Sequence, residues 1–291
     1  MTISCLGKAL LAGLVMVGGT AAAADPDIIA HRGGALLWPE NSLYAFKQAQ
    51  QMGVDYLEMD LQLTEDNELL VTHDADINPQ FCTPAPGVGL VPKPVRALTL
   101  ARSQQFDCGR ASRSIYPDAE KRDDIRMPSL ASVLEAFAGD RQRRFFIETK
   151  MPKPGAPGAP IDTTLYAAKL DQLIRKHGLE DRVILQSFDW RTLEAMRLLN
   201  PAVRTCPLAV PRHSSDYLGT LERLGATCIV LSAAETTAQQ VRELQSAGVL
   251  VFSGVVDHQD DWAQALQLGY DAIFTNDPVG LDTFLRTHSA R

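Results

Sequence analysis

Apolar and polar residues alternate along the stretch 57–63, where every second side chain is apolar. A period of two predicts a strand, because successive side chains of a strand point to opposite faces of the sheet. A turn signal follows at 65–68, and a second apolar run, 69–71, leads to His73 and Asp74. The pattern therefore predicts a strand, a tight reversal and a second strand.

Eight apolar runs with the length of core strands occur along the chain, and helical patterns separate most of them. The predicted strands are residues 28–30, 57–61, 144–148, 183–187, 203–207, 227–231, 249–256 and 272–275. The predicted helices are residues 42–52, 129–138, 162–177, 190–199, 215–224, 237–247, 262–268 and 280–287. Strands that alternate with helices form a parallel sheet.

Eight strand–helix units in about 265 residues match a (β/α)8 TIM barrel, which typically has about 250 residues. We therefore predict an α/β fold of this kind. An open doubly wound sheet is the alternative, but such a sheet usually carries a G-x-G-x-x-G turn after its first strand. The corresponding stretch here, 31–34, is His-Arg-Gly-Gly. Asn41 is expected to cap the first helix, because its side-chain oxygen can accept a free backbone N–H.

The alternation of strands and helices breaks between residues 75 and 127. Proline disfavours a long regular helix over much of this segment, where it occurs at positions 79, 84, 86, 92, 94 and 117. Loops of this length within a compact domain are usually functional. We expect a small insertion after the strand hairpin, placed beside the functional site rather than folded as a separate enzyme domain.

Residues 1–24 have the pattern of a secretory signal peptide. Lys8 is their only charge, and the apolar run 9–17 is too short to span a bilayer. The alanines at 22–24 form a small-x-small cleavage pattern, so cleavage is expected after Ala24. The mature chain, residues 25–291, is then expected to be exported, with the periplasm as its destination, and to have no transmembrane segment.

The composition, with 45% hydrophobic and 22% charged residues among 291, suits one large domain or two small ones. The formal net charge is −7, and the sequence contains no basic block. A nucleic-acid partner is therefore not expected. An anionic substrate would have to be attracted by a metal ion or by a few local cations. The oligomeric state stays open.

Loss of Cys5 with the signal peptide would leave four cysteines. Cys82 and Cys108 enclose the Pro- and Gly-rich segment that would gain most from a disulfide. Cys206 and Cys228 lie in apolar, strand-like runs and are expected to be buried thiols. Export permits disulfides, but spacing alone does not determine the pairing.

Polar residues collect at the predicted carboxyl ends of the strands, where barrel enzymes carry their active sites. These strand-end residues are His31, Arg32, Glu58, Asp60, His73, Glu148, Lys150, Gln186, Ser187, Asn276 and Asp277. Glu58 and Asp60 share one face of a strand, where their charges repel unless a cation lies between them. Together with Glu148 they suit a hard divalent cation such as Ca²⁺ or Mg²⁺. Zinc would favour more nitrogen or sulfur ligands.

Two histidines and two basic residues complete the predicted chemistry. His31 and His73 can transfer protons near neutral pH. Arg32 and Lys150 can hold a phosphate group through charge-assisted hydrogen bonds. Cations, two acid–base groups and a metal ion are the parts that displacement at a phosphodiester requires.

Single residues also allow simpler interpretations. Glu40 suits the first turn of a helix, where the helix dipole favours an acid. Gln186 could satisfy buried backbone groups, and Lys150 could be a surface charge. The coincidence of the whole set at one predicted rim favours the catalytic interpretation.

Seven short motifs carry most of these residues. They are Ile-Ala-His-Arg-Gly-Gly at 29–34, Pro-Glu-Asn-Ser at 39–42, Leu-Glu-Met-Asp at 57–60, Val-Thr-His-Asp at 71–74, Ile-Glu-Thr-Lys at 147–150, Gln-Ser-Phe at 186–188 and Phe-Thr-Asn-Asp-Pro at 274–278. Their sequence and order resemble the motifs of the glycerophosphodiester phosphodiesterase family. The resemblance spans residues 28–278, and the first four motifs together are highly specific.

The resemblance implies a distorted TIM barrel with one divalent cation, Ca²⁺ or Mg²⁺, held by Glu58, Asp60 and Glu148. It implies that His31 and His73 form the acid–base pair. The substrates would be small glycerophosphodiesters, and the products sn-glycerol 3-phosphate and an alcohol such as choline or ethanolamine. Attack by the glycerol 2-hydroxyl through a cyclic phosphate, with His31 as base and His73 as acid, is our hypothesis for the route.

The resemblance also assigns the surrounding residues. Arg32 and Lys150 are expected to contact the phosphate, with Gln186 beside them in the substrate site. Glu40 and Asn41 are expected to hold the metal-binding side of the site in place without binding the metal ion themselves.

One stretch departs from the family pattern. The seventh strand of the family often carries Trp-Thr-Val-Asn, whereas residues 252–257 here are Phe-Ser-Gly-Val-Val-Asp, with Gly254 near the position of the tryptophan. Trp38 or an aromatic residue of the insertion is a candidate to replace this aromatic wall. The departure bears on the preference for the alcohol headgroup.

Three other functions are compatible with a barrel. A lysophospholipase D-like hydrolase would be favoured by an apolar mouth on the insertion. A non-catalytic exported binding protein would not need the pair His31 and His73. A sugar isomerase or lyase would not need Arg32 and Lys150.

Overall fold

The computed structural model describes residues 25–89, 93–152, 160–208 and 216–288. The predicted signal peptide lies outside the described residues, so it stays a prediction. Residue 215, where one helix was predicted to begin, also lies outside them. All eight predicted core strands lie within the described part of the chain.

Strands and helices alternate along the described chain, as the hydrophobic pattern predicts. The strands are β1 (Asp27–Ala30), β2 (Tyr56–Leu63), β3 (Leu69–Val71), β4 (Thr83–Pro84), β5 (Phe106–Asp107), β6 (Arg144–Thr149), β7 (Val183–Ser187), β8 (Arg204–Pro207), β9 (Cys228–Leu231), β10 (Leu250–Ser253) and β11 (Ala272–Thr275). The α-helices are α1 (Leu43–Met52), α2 (Leu100–Ser103), α3 (Leu130–Ala136), α4 (Thr163–His177), α5 (Trp190–Leu199), α6 (Tyr217–Leu224), α7 (Ala238–Ser246), α8 (Gln259–Leu268) and α9 (Pro278–His288). Among the described helices, none has the length and apolar character needed to cross a membrane.

Within the described residues, eight parallel strands form a nearly closed ring in the order β8-β7-β6-β2-β1-β11-β10-β9. The two end strands lie side by side, and the Cys228 thiol on β9 donates to the Thr205 carbonyl on β8 at 3.4 Å. β10 ends at Ser253, earlier than the predicted residue 256, because its neighbour β9 ends opposite it at Leu231. The predicted (β/α)8 TIM barrel is confirmed.

The interior of the barrel is filled by apolar side chains. They are Ile29, Tyr56, Phe146, Ile184, Cys206, Cys228, Phe252, Ala272 and Phe274. The Phe146 ring lies edge-on to two others, with centroids 5.4 Å from Phe252 and 4.9 Å from Phe274. The barrel is therefore a packed core rather than a pore, and a ligand must bind at one end of it.

The start of α1 corrects one prediction. The hydroxyl of Ser42 accepts the backbone N–H of Ala45 at 3.1 Å, so Ser42 is the N-cap. The prediction that Asn41 caps this helix is wrong. Asn41 has φ 53°, outside the extended backbone conformation typical of a cap, and its side chain turns inward to Asp60.

The segment between β3 and α3 forms a small insertion with its own antiparallel pair, β4 and β5. Its apolar cluster consists of Leu70, Ile77, Phe81, Cys82, Val95, Leu98, Phe106, Cys108 and Met127. Leu70 belongs to β3, so the insertion packs against the hairpin. A disulfide joins Cys82 and Cys108, whereas Cys206 and Cys228 are buried free thiols.

Candidate active site

Polar side chains replace the apolar filling at the carboxyl end of the barrel. Side chains two positions apart lie on the same face of a strand. In four strands an apolar residue that points into the barrel is followed, two positions later, by a polar one. The pairs are Tyr56 with Glu58, Phe146 with Glu148, Ile184 with Gln186, and Phe274 with Asn276. The register places Asp60 beside Glu148, and Glu148 beside Gln186. The fold thus brings together side chains that are far apart in sequence.

Glu58, Asp60 and Glu148 form one buried cluster of carboxylates, and one oxygen from each lies within 4.8 Å of the other two. Burial raises the pKa of Glu58 well above its usual range, and the charges of Asp60 and Glu148 raise it further. Burial and the Asp60 carboxylate raise the pKa of Glu148 to about 7. The cluster therefore needs positive charge to be fully ionised near neutral pH.

Two basic side chains supply part of this charge. Lys150 Nζ lies 2.7 Å from Glu148 Oε1 and 3.1 Å from Asp60 Oδ1, and Arg32 Nε lies 3.3 Å from Asp60 Oδ2. Burial alone would raise the pKa of Asp60, but Lys150 and Arg32 outweigh it and lower that pKa. Asp60 is therefore the carboxylate of the cluster that is held ionised.

The donor set fits a hard divalent cation. All three carboxylates offer oxygen, the ligand that Ca²⁺ and Mg²⁺ prefer. Asp60 Oδ1 and Glu148 Oε1 are buried, and each pairs with one basic group, Lys150, at 3.1 and 2.7 Å. A carboxylate oxygen has two lone pairs, so each of these oxygens could also bind a metal ion. A cation between the carboxylates would also offset the repulsion that raises two of their pKa values.

Backbone and amide donors hold the carboxylates in place. The backbone N–H of Arg32 and the Gln186 amide donate to the two oxygens of Glu58, at 2.7 and 3.0 Å. Asn41 donates to Asp60 Oδ2 at 2.9 Å and accepts the backbone N–H of Asp60 at 3.1 Å. Arg32 and Asn41 both have positive φ, 52° and 53°, a conformation that costs about 1–3 kcal/mol for residues other than glycine. The fold maintains this conformation where it aims donors at the cluster.

His31 follows β1 at the edge of the cluster. Its Nδ1 lies 2.7 Å from Asn276 Oδ1, and its Nε2 lies 3.9 Å from Glu58 Oε2. Burial and the neighbouring Arg32 lower the pKa of His31 to about 4. The imidazole is therefore neutral at pH 7 and able to accept a proton.

His73 follows β3 and is positioned by the hairpin. The backbone N–H of Thr72 donates to the Asp60 carbonyl at 3.0 Å, and the Gln62 amide donates to the His73 carbonyl at 3.0 Å. The side chain is 32% exposed, and its Nδ1 lies 2.8 Å from Asp74 Oδ1. The structure thus brings both predicted histidines to the rim that carries the carboxylates.

The insertion contributes Arg113, a residue that no sequence motif indicated. Arg113 donates to both oxygens of Glu40, at 2.6 and 2.8 Å, and its Nη2 lies 3.1 Å from Asp74 Oδ2. Glu40 also accepts from Arg32 at 3.2 Å. Glu40 therefore reaches the carboxylate cluster through Arg32. Arg113 connects this group to Asp74, the partner of His73.

Comparison with known proteins identifies the family. A model of the glycerophosphoryl diester phosphodiesterase family matches residues 31–279. A glycerophosphodiester phosphodiesterase of Bacillus subtilis (strain 168) is 28% identical over 255 residues, which cover 86% of this chain and 83% of the relative.

Solved structures share the fold. A structure from Silicibacter pomeroyi DSS-3 has a TM-score of 0.80 at 23% identity, over 91% of this chain and 94% of that one. An Oleispira antarctica phosphodiesterase, solved in complex with the product sn-glycerol-3-phosphate, has a TM-score of 0.71 at 21% identity, over 90% of this chain and 97% of that one.

Fold and site together are those of a TIM-barrel enzyme with its polar groups at the carboxyl end of the strands. Because the family model covers most of the chain, the chain belongs to the glycerophosphoryl diester phosphodiesterase family. The resemblance indicated by the sequence motifs is confirmed.

The position of Arg113 leads to a first prediction. Replacing Arg113 with methionine should lower kcat/KM for a glycerophosphodiester about ten-fold, equivalent to about 1.4 kcal/mol. The reason is that Glu40 and Asp74 lose the cation that connects them, while side-chain volume is nearly kept. Steady-state kinetics with glycerophosphocholine measure the effect.

Arg110→Met is the matched control in the same insertion. Arg110 is 45% exposed and pairs with Asp107 at 2.7 Å, away from the carboxylate cluster. Asp107 is buried, but it keeps three backbone N–H donors without Arg110, so this variant should stay within about two-fold of the parent. An equal loss in both variants would contradict a specific role for Arg113.

Proposed function

We propose that this chain hydrolyses glycerophosphodiesters to sn-glycerol 3-phosphate and a free alcohol in a reaction that depends on a divalent cation. The observation that carries the proposal is the buried cluster of Glu58, Asp60 and Glu148 beside His31 and His73, in a chain of this phosphodiesterase family. The product bound to the Oleispira antarctica phosphodiesterase, which has the same fold, supports the product class.

The cation would be Ca²⁺ or Mg²⁺, held by Glu58, Asp60 and Glu148. When bound, such an ion offsets the negative charge that develops on the phosphoryl oxygens during displacement. Arg32 and Lys150, which already lie against these carboxylates, are assigned to the substrate phosphate because both donate charge-assisted hydrogen bonds.

The hydrogen-bond partners distinguish the two histidines. Nδ1 of His31 faces the amide oxygen of Asn276, whereas Nδ1 of His73 faces the carboxylate of Asp74. Both partners accept, so each ring carries a proton on Nδ1 and leaves Nε2 for the substrate. Burial and the neighbouring Arg32 lower the pKa of His31, so this imidazole is the one suited to accept a proton. We therefore assign His31 as the general base and the remaining histidine, His73, as the general acid.

In this mechanism His31 Nε2 takes the proton of the glycerol 2-hydroxyl as that oxygen attacks phosphorus. The bond from phosphorus to the alcohol oxygen breaks, and His73 protonates the leaving alkoxide. Water then opens the cyclic phosphate, with His73 as base and His31 as acid. The product of this second step is sn-glycerol 3-phosphate.

Lysophospholipid hydrolysis is a second candidate, favoured by exposed apolar residues that follow the strands or lie in the insertion. Ile115 of the insertion, Phe188 after β7 and Val255 after β10 are 66%, 63% and 44% exposed. Phe188 lies beside the cluster, with its ring centroid 5.8 Å from Lys150 Nζ, where it could contact an acyl chain. A kcat/KM at least ten-fold higher for lysophosphatidylcholine than for glycerophosphocholine would select this function.

The metal requirement is tested with glycerophosphocholine as substrate. A chelator should lower the release of glycerol 3-phosphate at least about 100-fold, since a bound metal supplies several kcal/mol of charge stabilisation. Added Ca²⁺ or Mg²⁺ should restore it. Glu58→Gln should lose a similar factor and not be restored, because one anionic ligand is missing.

Glu68→Gln is the matched control for this experiment. Glu68 belongs to the same hairpin region but pairs at the surface with Lys169, at 2.9 Å. It should keep activity within about two-fold. Full activity in the presence of chelator would contradict the metal requirement, and failure of the parent protein to release glycerol 3-phosphate with either cation would contradict the reaction.

The acid role of His73 is tested by changing the leaving group. His73→Ala should lower turnover of glycerophosphocholine by about 10²–10⁴-fold. It should largely spare turnover of glycerol p-nitrophenyl phosphate, whose leaving group needs no proton. His31→Ala should impair both reactions. Equal losses on the two substrates for His73→Ala would rule out its role as the acid.

A further inference from the structure

A chain of hydrogen bonds behind His31 ends at Asp257, which follows β10 at the same end of the barrel. Asp257 Oδ2 accepts the Asn276 side-chain NH₂ at 2.8 Å, and Oδ1 accepts the Asn276 backbone N–H at 2.7 Å. The Thr275 hydroxyl also donates to Oδ1, at 3.2 Å. Asn276 Oδ1 lies 2.7 Å from His31 Nδ1. Asp257 therefore contacts His31 only through Asn276 in this chain of bonds.

The chemistry of a carboxylate fixes the orientation of the Asn276 amide. A carboxylate only accepts hydrogen bonds, so the NH₂ group of Asn276 must face Asp257 and the amide oxygen must face His31. An amide oxygen also only accepts, so His31 must carry its proton on Nδ1. Nε2 is then left with a free lone pair on the side of the carboxylate cluster.

Burial makes this arrangement exclusive. Asn276 is 2% exposed, so solvent water has little access to its amide. An amide rotated by 180° would place its NH₂ group against His31 Nδ1 and its oxygen against the Asp257 carboxylate. Two acceptors would then face each other, which costs about 1–3 kcal/mol for each unsatisfied buried group.

We propose that Asp257 is a positioning residue for phosphodiester hydrolysis, which acts through Asn276 to hold His31 in the tautomer with Nδ1 protonated and Nε2 free. This inference rests on the proposed function, in which His31 Nε2 accepts the proton of the attacking hydroxyl. The base must present one particular ring nitrogen, and Asp257 determines which. With Gly254 near the tryptophan of the family's Trp-Thr-Val-Asn pattern, Asp257 falls near its asparagine, so this chain has a carboxylate there instead of an amide.

Asp257→Asn tests the inference, because it replaces one acceptor with a donor and hardly changes the shape of the side chain. The new amide must offer its oxygen to the backbone N–H of Asn276, so its NH₂ group faces the Asn276 side chain. The Asn276 amide must then rotate to accept, which turns its own NH₂ group toward His31. His31 would have to accept at Nδ1 and carry its proton on Nε2.

Nitrogen-15 NMR of the full chain distinguishes the two tautomers, because protonated and unprotonated ring nitrogens differ in chemical shift. At about pH 9 an ordinary imidazole is neutral, and a His31→Gln spectrum assigns the signals. We expect Nδ1–H in the parent protein and Nε2–H in Asp257→Asn. In kinetics, kcat for glycerophosphocholine should fall about 100-fold, within the range attributed to a general base, while KM stays within about three-fold.

A double variant, Asp257→Asn with Asn276→Asp, should restore the order of donors and acceptors. The carboxylate at position 276 accepts from both His31 Nδ1 and the amide at position 257. The Nδ1–H tautomer should return, and kcat should recover at least ten-fold relative to the single variant. A merely structural loss in the single variant would not be rescued by this exchange.

Asp271→Asn is the matched control. Asp271 is also half-buried and accepts a backbone N–H, that of Val251 at 2.7 Å, but it precedes β11 at the opposite end from Asn276. Its tautomer signals and kcat should match the parent.

Two results would overturn the inference. One is an Nδ1–H tautomer that persists in Asp257→Asn, and the other is a loss of kcat without a change of tautomer. A parent protein that shows the expected tautomer and the expected switch, yet releases no glycerol 3-phosphate, would support the positioning by Asp257 and contradict the proposed reaction.

Discussion

Mutual repulsion within the buried group of Glu58, Asp60 and Glu148 is the constraint on which the surrounding structure depends. Three carboxylates within 4.8 Å of one another and out of contact with solvent are unfavourable unless positive charge and hydrogen-bond donors compensate them. Lys150 and Arg32 supply charge, and backbone and amide donors bind most of the remaining oxygens. The compensation within the protein is partial, since two of the three carboxyl groups keep raised pKa values. A divalent cation would complete it.

The barrel makes this unfavourable cluster possible. Phe146 and its apolar neighbours fill the barrel interior beneath the cluster. The strand register then places the polar side chains of neighbouring strands side by side, at the carboxyl end of this apolar layer. Low polarity beneath the site strengthens each electrostatic interaction within it. The insertion also holds the site together. Its Arg113 binds both Glu40, the partner of Arg32, and Asp74, the partner of His73. The two histidines and the three carboxylates are thus parts of one connected hydrogen-bond and ion-pair network.

Local pattern predicts those parts of this arrangement that depend on strand geometry. Glu58 and Asp60 alternate with apolar residues, so the sequence alone indicates that they share a face, and the strand-end positions of His31 and Glu148 place them at the same rim. Side-chain partners are less predictable. Asn41 has the residue type of a helix cap, but the adjacent Ser42 takes that place because Asn41 is bonded to Asp60.

Residues in segments without periodicity were the hardest to foresee. Arg113 pairs with Glu40 across 73 positions, and it lies in an insertion whose sequence has no repeating pattern to place it. Asp257 is separated by 19 positions from Asn276, beyond the end of its strand. Such contacts are products of the tertiary fold, in which the ends of distant strands meet, and a single sequence contains no signal of that proximity.

The most direct test of this account is thermal unfolding of the parent protein and of Glu58→Gln, with and without Ca²⁺ or Mg²⁺. At a free concentration of 100 times Kd, a bound cation should stabilise the parent by about 2.7 kcal/mol, a rise in Tm of roughly 5–10 °C. Without cation, Glu58→Gln should be at least as stable as the parent, because the substitution removes a carboxyl group whose raised pKa reflects an ionised form that the folded protein disfavours. A parent Tm that does not respond to either cation, together with a less stable Glu58→Gln, would show that Arg32 and Lys150 alone satisfy the cluster and would contradict the account.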